Sequence, residues 1–310
     1  MIAPARRQRV FVTKGGFTMI GNMGKSRVLA EAGFVVMWSS GFIGARLGTP
    51  EASTPTLMTW RFLLAAGVLL VLVSVLRRPL PPPREVTLQG VLGLLAQGVY
   101  LGGVVGAVEF GVTAGISALV ASLQPILAAA LAGPILGERV VRRQWVGLAV
   151  GLTGVVLVVC GDVRGGGDAP LWAYTMPFVG MAGLVAATLL GRKTTLTDTS
   201  LDVVLAIQCA ASALLFAVLA QFWGGLEPVG GMHFWAAVAW FVVFSTFGGY
   251  GFYWLNLKLS GVARVSSLVY LTPPVTMVWS YLMFGESIGF GAAVGIVVCF
   301  GGVLLANQGR

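Results

Sequence analysis

Polar and aromatic side chains that suit the binding of a small molecule are scattered through long apolar stretches of this 310-residue chain. Ser, Thr and Gln offer hydroxyl and amide hydrogen bonds, whereas Trp and Tyr offer apolar ring faces with a polar edge. Such a set favours reversible recognition of an apolar or aromatic molecule. The candidate binding residues are Trp38, Ser39, Ser40, Gln97, Tyr100, Ser122, Gln124, Tyr250, Trp254, Tyr270 and Thr272.

Each of these residue types also has a purely structural use, and both uses stay open from the sequence. A Ser or Thr hydroxyl inside a helix can bond to the preceding turn of its own helix. Trp and Tyr near the ends of a membrane span commonly anchor the helix at the lipid interface. The binding role is favoured most for Gln97 and Gln124, whose amides lie within apolar stretches.

Three charged residues fall toward the outer ends of the first three apolar stretches, namely Arg46, Arg61 and Glu109. An unpaired charge there costs less than the ~2.5–3.5 kcal/mol assigned to the bilayer centre. Ion pairing is one expectation for these residues. Glu109 could instead bind a coupling proton or attract a cationic group, but a charge on the outer rim is the favoured interpretation.

The sequence offers no complete catalytic set. His233 is the only histidine, and no second carboxylate lies at the level of Glu109, which disfavours hydrolysis. The three cysteines are far apart within apolar stretches, so they indicate small buried side chains and not a disulfide or zinc framework. We therefore predict no enzyme, no metal and no cofactor. No complete phosphate-binding motif implies an ATPase partner.

Composition excludes a soluble enzyme. The chain is 57% hydrophobic and 10% charged, with a mean hydropathy of +0.89, whereas soluble domains carry about 25% charged residues. The formal charge of +9 would suggest nucleic acid as a partner of a soluble chain. In a membrane protein the position of the positive residues matters more, and we predict no nucleic-acid partner.

Ten apolar blocks are each long enough, at ~1.5 Å per residue, to cross the ~30 Å hydrocarbon core of a bilayer. The strands of a membrane barrel would be half that length and would alternate polar with apolar residues. We therefore predict an all-α integral membrane protein with ten transmembrane helices. The predicted spans are 28–48, 56–76, 86–108, 113–136, 143–160, 171–191, 201–222, 233–257, 262–284 and 288–307.

The basic residues indicate the orientation of these spans. With ten spans both termini share one side, and that side holds every Lys and Arg except Arg46, Arg61 and Arg164. The positive-inside rule makes this side the cytoplasm. The chain is thus predicted to lie in a cell inner membrane with both termini cytoplasmic.

The two halves of the chain repeat each other. A shift of 148 residues superimposes spans four and five on spans nine and ten, bringing Pro125 onto Pro273 and Glu138 onto Glu286. Because five is odd, the second copy enters the membrane from the opposite side, as in alternating-access transporters. The predicted organisation is a basic cytoplasmic leader at 1–27, a five-helix repeat at 28–160, an external linker at 161–170 and an inverted five-helix repeat at 171–310.

Prolines and glycines mark places where the helices are expected to bend. Pro125 in span four and Pro273-Pro274 in span nine each delete a hydrogen bond and free the carbonyl four residues earlier. Such carbonyls should face protein or a watery cavity, where they could accept a substrate ammonium, or the kinks only shape packing. Gly248 and Gly249 serve either close helix packing or a hinge.

Several motifs resemble a known family. They are Trp38-Ser39-Ser40, Trp60-Arg61-Phe62, Leu123-Gln124-Pro125, Leu136-Gly137-Glu138-Arg139, Gln144-Trp145-Val146-Gly147, Leu271-Thr272-Pro273 and Phe284-Gly285-Glu286. This set is similar to two EamA domains of the drug/metabolite transporter (DMT) superfamily, over nearly the whole chain after the leader. The eighth span, with Gly249-Tyr250, Trp254 and Asn256, is loosely similar to YddG-type aromatic amino-acid exporters.

The resemblance implies a ten-helix secondary transporter, and these families commonly export metabolites or amino acids. We therefore predict export of aromatic or other neutral amino acids by alternating access through a central midplane cavity. Exporters of other metabolites or drugs, such as nucleobases or cationic compounds, remain alternatives, as does a passive gated channel. The expected partners are a small-molecule solute and the lipid bilayer, with the protein a monomer or a homodimer.

Overall fold

The computed structural model describes residues 16–137, 141–164, 168–194, 199–227, 231–286 and 289–307 of the chain. All regular structure within these ranges is helical, and the predicted fold class is confirmed. The chain is an all-α integral membrane protein. Eight helical stretches of the described chain are long and apolar enough to cross a bilayer, and a shorter apolar helix follows at Ala293–Leu305.

The helices divide into a first and a second half. The first half contains α1 (Gly16–Gly48), α2 (Thr54–Val75), α3 (Pro83–Gly93), the π-helical segment Leu94–Val99, α4 (Tyr100–Glu109), α5 (Ala114–Ala121), α6 (Gln124–Leu136) and α7 (Arg142–Arg164). The second half contains the 3₁₀ turn Leu171–Thr175, α8 (Met176–Lys193), α9 (Leu201–Phe222), α10 (Met232–Trp240), the π-helical segment Phe241–Gly248, α11 (Gly249–Val269), α12 (Thr272–Phe284) and α13 (Phe290–Asn307). Helix α1 thus begins well before residue 28, inside the predicted leader.

Local irregularities recur in the two halves at the same spacing as the sequence repeat. Each half has a π-helical segment before its broken helix, an interruption within that helix, and a left-handed glycine that ends it. A left-handed residue strongly favours glycine, which has no Cβ to clash. The pairs are Leu94–Val99 with Phe241–Gly248, Ser122 with Tyr270, and Gly137 (φ +73°) with Gly285 (φ +69°).

The three prolines expected to kink spans four and nine stand at interruptions of the helices and not inside continuous ones. Pro125 lies in the first turn of α6, and Pro273 and Pro274 lie in the first turn of α12. Proline is tolerated there because the first turn of a helix has no intrahelical partner for its N–H groups. The predicted kinks are therefore full breaks, between α5 and α6 and between α11 and α12.

The predicted boundary between spans eight and nine lies within α11, whose helical backbone continues through it. The order in which residues of this stretch contact α1 nevertheless reverses at that boundary. Asn256 donates to the Ala30 carbonyl near the middle of α1 over 2.7 Å, whereas the carbonyl of Thr272, farther along the chain, accepts a hydrogen bond over 3.4 Å from Ser39, nearer the end of α1. The chain therefore turns back within α11, and the second pass runs alongside α1 toward its carboxyl end.

Helices at equivalent positions of the two halves pack against each other in opposite directions. At the start of α2, Ser53 donates to the carbonyl of Trp223 beyond the end of α9, and beyond the end of α2 Arg78 pairs with Asp202 at the start of α9 over 3.0 Å. Between these ends Phe62 stacks on Phe216 with ring centroids 5.9 Å apart. Helices α2 and α9 are therefore antiparallel.

Helices α7 and α13 form the second such pair, and glycines set their distance. A Cβ added to Gly154 would lie 2.4 Å from the backbone nitrogen of Cys299, and one added to Gly302 would lie 2.5 Å from that of Gly151. Later residues of α7 thus meet earlier residues of α13, so these helices are also antiparallel. Small residues let the two backbones touch.

Candidate functional site

Two adjoining cavities lie between helices of the two halves. The larger has a volume of about 60 Å³ and the smaller about 30 Å³. Trp38, Phe42, Tyr100 and Leu184 line both of them. We call the two together the central cavity.

The larger part of the central cavity is lined at both π-helical segments. Ala96 comes from the first segment and Ser245 from the second, while Arg61 reaches it from α2 and Tyr250 from α11. A π-helical turn inserts one residue into the helical repeat and often marks a functional site. Here the two π-helical segments, at equivalent positions of the two halves, each place a residue on the wall of the central cavity.

The smaller part of the central cavity is lined at the two helix breaks. Ala121, Ser122 and Gln124 come from the break between α5 and α6, and Val269 and Thr272 from the break between α11 and α12. The interruptions that the prolines create therefore meet at one place. Polar residues of both halves, Ser122 and Gln124 from the first and Thr272 from the second, line the cavity here.

Aromatic rings form one wall of the central cavity. Trp38 packs edge-on against Tyr250 with centroids 6.0 Å apart, and Tyr253 lies 6.1 Å from Trp38 on the same side. Phe34 extends the stack, 5.4 Å from Trp38. Edge and tilted arrangements of this kind are the favoured geometry of aromatic pairs. The wall presents both apolar faces and phenol groups.

A chain of hydrogen-bonded amides runs beside the central cavity. Gln97 donates to Gln208 over 3.3 Å and to the Tyr250 hydroxyl over 3.5 Å. Gln208 in turn donates to Gln89 over 3.0 Å, and Ser212 donates to the Gln97 carbonyl oxygen over 3.4 Å. We call Gln89, Gln97 and Gln208 the amide chain. It satisfies polar groups that would be costly if buried unpaired.

Sequence reasoning singled out Gln97 but missed Gln89 and Gln208. Gln208 carries the same sequence signal as Gln97, since it is an amide within an apolar stretch, that of α9. Gln124 lies on the cavity wall, where it donates to Thr188 over 3.4 Å. Phe42 and Leu184 were missed because an apolar residue on a cavity wall looks like any core residue in sequence.

Three of the predicted binding hydroxyls bond to a backbone carbonyl three residues earlier in the chain. Ser40 donates to the Met37 carbonyl, and Ser122 donates to the Leu119 carbonyl over 2.7 Å. Thr272 donates to the Val269 carbonyl, the group that Pro273 would otherwise leave free. The structural use of Ser and Thr therefore prevails here. The Val269 carbonyl, expected from sequence to be free for a substrate ammonium, already has a donor.

Arg61, which the sequence places toward the outer end of its span, lies inside the protein. It is 2% exposed and lines the larger part of the central cavity. Its guanidinium stands over the rings of Phe241 and Phe62, 4.4 and 5.1 Å from their centroids. The sequence could not show this burial, because helix position alone does not tell which way a side chain near a span end points.

The other two predicted charges have structural partners away from the central cavity. Arg46 pairs with Glu286 over 2.9 Å. Glu109 accepts a hydrogen bond from the backbone N–H of Thr54 over 2.8 Å, so it caps the start of α2. It also borders a groove of about 570 Å³, largely apolar, between α4, α8 and α9. The expected ion pairing is thus found for Arg46, whereas Glu109 serves as a helix cap.

The remaining predicted residues are placed as follows. Ser39 is fully buried and donates to the Thr272 carbonyl over 3.4 Å, linking α1 to the break before α12. Tyr270 packs in the cluster formed largely by α5 to α8 and does not line the central cavity. Gly248 and Gly249 stand where the second π-helical segment joins α11, facing Met37 and Trp38. The side chain of Trp254 lies outside the described residues.

Both halves of the chain match the EamA-like transporter family, over residues 27–160 and 171–308. The chain therefore belongs to this family, and it is a membrane transporter. The resemblance drawn from the sequence motifs is confirmed. A membrane transporter of this family implies a small-molecule solute and residence in a lipid bilayer.

Three relatives cover almost the whole chain. The "Uncharacterized inner membrane transporter YedA" of Escherichia coli (strain K12) is 24% identical, over 89% of this chain and 88% of its own. The "Uncharacterized transporter YyaM" of Bacillus subtilis (strain 168) is 25% identical, over 89% and 91%. The "Probable terminal-alkyne amino-acid exporter" of Streptantibioticus cattleyicolor is 26% identical, over 88% and 91%.

A solved crystal structure is similar in fold. It covers 91% of this chain and 96% of its own, with a TM-score of 0.59 at 22% identity. At that identity the likeness bears on the fold alone.

Proposed function

We propose that this transporter is a secondary carrier that exports aromatic or other neutral amino acids by alternating access. The observation that carries the proposal is the central cavity, where the helix breaks and the π-helical segments of both halves converge. Carriers commonly place their solute site between two repeats, at discontinuous helices. The aromatic wall and the neighbouring amide chain offer the contacts that such a solute needs.

The antiparallel packing of equivalent helices supports an inverted relation between the halves. Both α2 with α9 and α7 with α13 run in opposite directions while contacting each other. An axis in the membrane plane would relate helices in this way. In this arrangement both termini lie in the cytoplasm of an inner-membrane protein, as the distribution of basic residues favours.

The size of the central cavity supports a carrier over an open pore. At about 60 Å³ and 30 Å³ its two parts are far smaller than the roughly 300–1,000 Å³ of ordinary ligand pockets. A solute of amino-acid size therefore requires the surrounding helices to separate. Such a separation on one side at a time is what alternating access means.

The nature of the wall and one relative support the substrate and the direction. Trp38, Tyr100 and Tyr250 give the cavity aromatic surface. The relative from Streptantibioticus cattleyicolor is named as an amino-acid exporter, and we extend that chemistry to this chain.

Counterflow in proteoliposomes tests the proposal. Vesicles loaded with unlabelled phenylalanine or tryptophan should accumulate the labelled amino acid faster than empty vesicles, because a carrier exchanges solute across the membrane. Trp38→Ala should reduce this exchange about tenfold, since it removes a wall of the cavity. Trp235→Ala, on the partly exposed edge of α10, is the matched control and should retain it.

Three results would overturn the proposal in different ways. Flux without trans-stimulation would indicate a pore. Exchange of nucleosides or polyamines in place of amino acids would refute the proposed substrate class. Equal loss in the Trp38→Ala and Trp235→Ala proteins would remove the central cavity as the site.

A further inference from the structure

We propose that Arg61 is the carboxylate-binding group of the central cavity, so that the solute must carry a free carboxylate. The inference rests on the proposed function, because it names the solute class of the same cavity. It follows from the position, the partners and the permanent charge of this one side chain.

The position of Arg61 puts a cation at the wall of the central cavity. Its side chain is 2% exposed and borders the larger part of the cavity beside Ser245 and Tyr250. Arginine stays protonated in proteins, so the charge is present whatever the pH of the cell. A solute that enters the cavity therefore meets a fixed positive charge.

The partners of this guanidinium are all neutral among the described residues. One terminal nitrogen, Nη2, donates to Ser245 over 3.2 Å and to Thr246 over 3.4 Å, and the other, Nη1, faces the sulfur of Met58 at 3.8 Å. The buried Nε has no hydrogen-bond acceptor. No ion pair to a carboxylate is formed by Arg61 in this part of the chain.

Other arginines of the described chain differ from Arg61 in this respect. Arg46 pairs with Glu286, Arg78 with Asp202 and Arg264 with Glu31, and all three are substantially exposed. The most buried arginine thus lacks the carboxylate that its exposed counterparts have. A buried charge without a counter-ion is expensive, and the faces of Phe62 and Phe241 compensate only in part.

A carboxylate on the solute would complete this site. The planar guanidinium presents five N–H donors and binds carboxylates through paired hydrogen bonds, which are strongest when water is excluded. The Nε already lacks an acceptor, so binding need not break an existing bond there. The apolar part of the solute would then lie against Trp38 and Phe42, and its remaining polar group near Tyr250.

The same charge works against some of the alternatives that the sequence left open. A cationic compound would be repelled by Arg61 at close range in a medium of low dielectric constant. An uncharged nucleobase could accept hydrogen bonds from Arg61 but would gain no charge–charge attraction. The inference therefore narrows the solute to amino acids and other carboxylates.

Binding measurements on protein in lipid nanodiscs test this inference without requiring transport. The probes are phenylalanine with phenylalaninamide, and phenylacetate with phenylacetamide, each titrated calorimetrically. The wild-type protein should bind each carboxylate at least about tenfold more tightly than its amide. Arg61→Gln should bring the affinities for acid and amide within about twofold of each other, whereas Arg143→Gln, which removes an exposed arginine, should leave the preference for the acid intact.

Several outcomes would overturn the inference. One is equal binding of acid and amide by the wild type, and another is an unchanged preference in Arg61→Gln. A third is loss of carboxylate binding when the sulfate salt of the buffer is replaced by chloride, which would indicate a chloride site. If Arg61→Gln does not fold, Arg61→Lys decides, because the retained charge should keep a reduced preference for the acid. An undiminished preference in a folded Arg61→Lys protein would overturn the inference, because the paired hydrogen bonds of the guanidinium would then play no part.

The two proposals fail in distinguishable ways. Arg61-dependent carboxylate binding without counterflow would refute the carrier and leave this site standing. Counterflow that proceeds equally well with phenylalaninamide would refute the carboxylate site and leave the carrier standing.

Discussion

The buried polar side chains around the central cavity bond mainly to one another, and this restricts what a solute can meet. Gln97 is shared among Gln208, Ser212 and Tyr250, while Ser122 and Thr272 donate to carbonyls three residues earlier in the chain. The groups left with unused bonding capacity at the cavity wall are therefore few. Arg61 stands out because its Nε has no acceptor.

The amide chain makes a prediction about single residues. Gln208→Leu removes the bonds to Gln97 and Gln89 and leaves those buried amides short of a partner. Because hydrogen bonds between membrane helices contribute about 1 kcal/mol each, the variant should lose roughly 1–2 kcal/mol of unfolding free energy. Thermal unfolding of the wild-type and variant proteins in the same detergent measures this loss of stability.

Gln221→Leu is the matched control for that substitution. It removes an exposed amide from the same helix and should leave stability unchanged. Equal stability of the Gln208→Leu and Gln221→Leu proteins would show that the amide chain contributes nothing.

The residue types of the cavity could be predicted in part from sequence. Trp38, Tyr100, Tyr250 and Gln124 were predicted as binding residues from their chemistry and depth, and the structure places them at the cavity wall. Whether a Ser or Thr hydroxyl turns to its own helix depends on a rotamer, which a single sequence does not show. The burial of Arg61 depends likewise on how α2 is rotated against its neighbours.

At the scale of elements, glycine contacts fix the antiparallel pair α7 and α13. Gly302→Ala would place a methyl group 2.5 Å from the backbone of Gly151, so the helices must move apart. Overpacking of this kind costs about 1–3 kcal/mol. The prediction is a clearly lower melting temperature in thermal unfolding.

The adjacent Gly301 provides the control. A methyl group there meets nothing within 4 Å. Gly301→Ala should therefore be neutral or slightly stabilising, because alanine favours helix over glycine. If both alanine variants unfold at the wild-type temperature, close packing of α7 and α13 is not what holds these helices together.

Sequence signals for elements differ in how much they reveal. The spacing of Pro125 and Pro273 predicted the two symmetric interruptions, because proline removes a backbone donor wherever it stands. The π-helical segments Leu94–Val99 and Phe241–Gly248 had no such signal, since a one-residue insertion in a helix needs no particular residue type. The turn within α11 was expected near 258–261, but its continuous helical bonding was not.

At the scale of the whole molecule, two ion pairs join the apolar span of α1, Ser26–Gly48, to the second half. Glu31 pairs with Arg264 over 2.6 Å near the start of that span, and Arg46 pairs with Glu286 near its end. In the inverted arrangement that we propose, these contacts would lie toward opposite sides of the membrane. We expect each of them to help close the central cavity on its own side.

Breaking one ion pair should shift the population toward the state that is open on that side. A contact made in only one of two states stabilises that state, so its loss favours the other. Glu286→Gln should open the external side and Glu31→Gln the cytoplasmic side. Glu227→Gln, which alters an exposed carboxylate, is the control.

The most direct test of the central claim is the accessibility of the central cavity from each side of the membrane. The probe is Ala96→Cys on the cavity wall, in a chain whose Cys160, Cys209 and Cys299 are replaced by serine. The account predicts labelling by an impermeant thiol reagent from both sides, raised externally by Glu286→Gln and cytoplasmically by Glu31→Gln. Labelling from one side only, unmoved by either substitution, would contradict alternating access between two inverted halves.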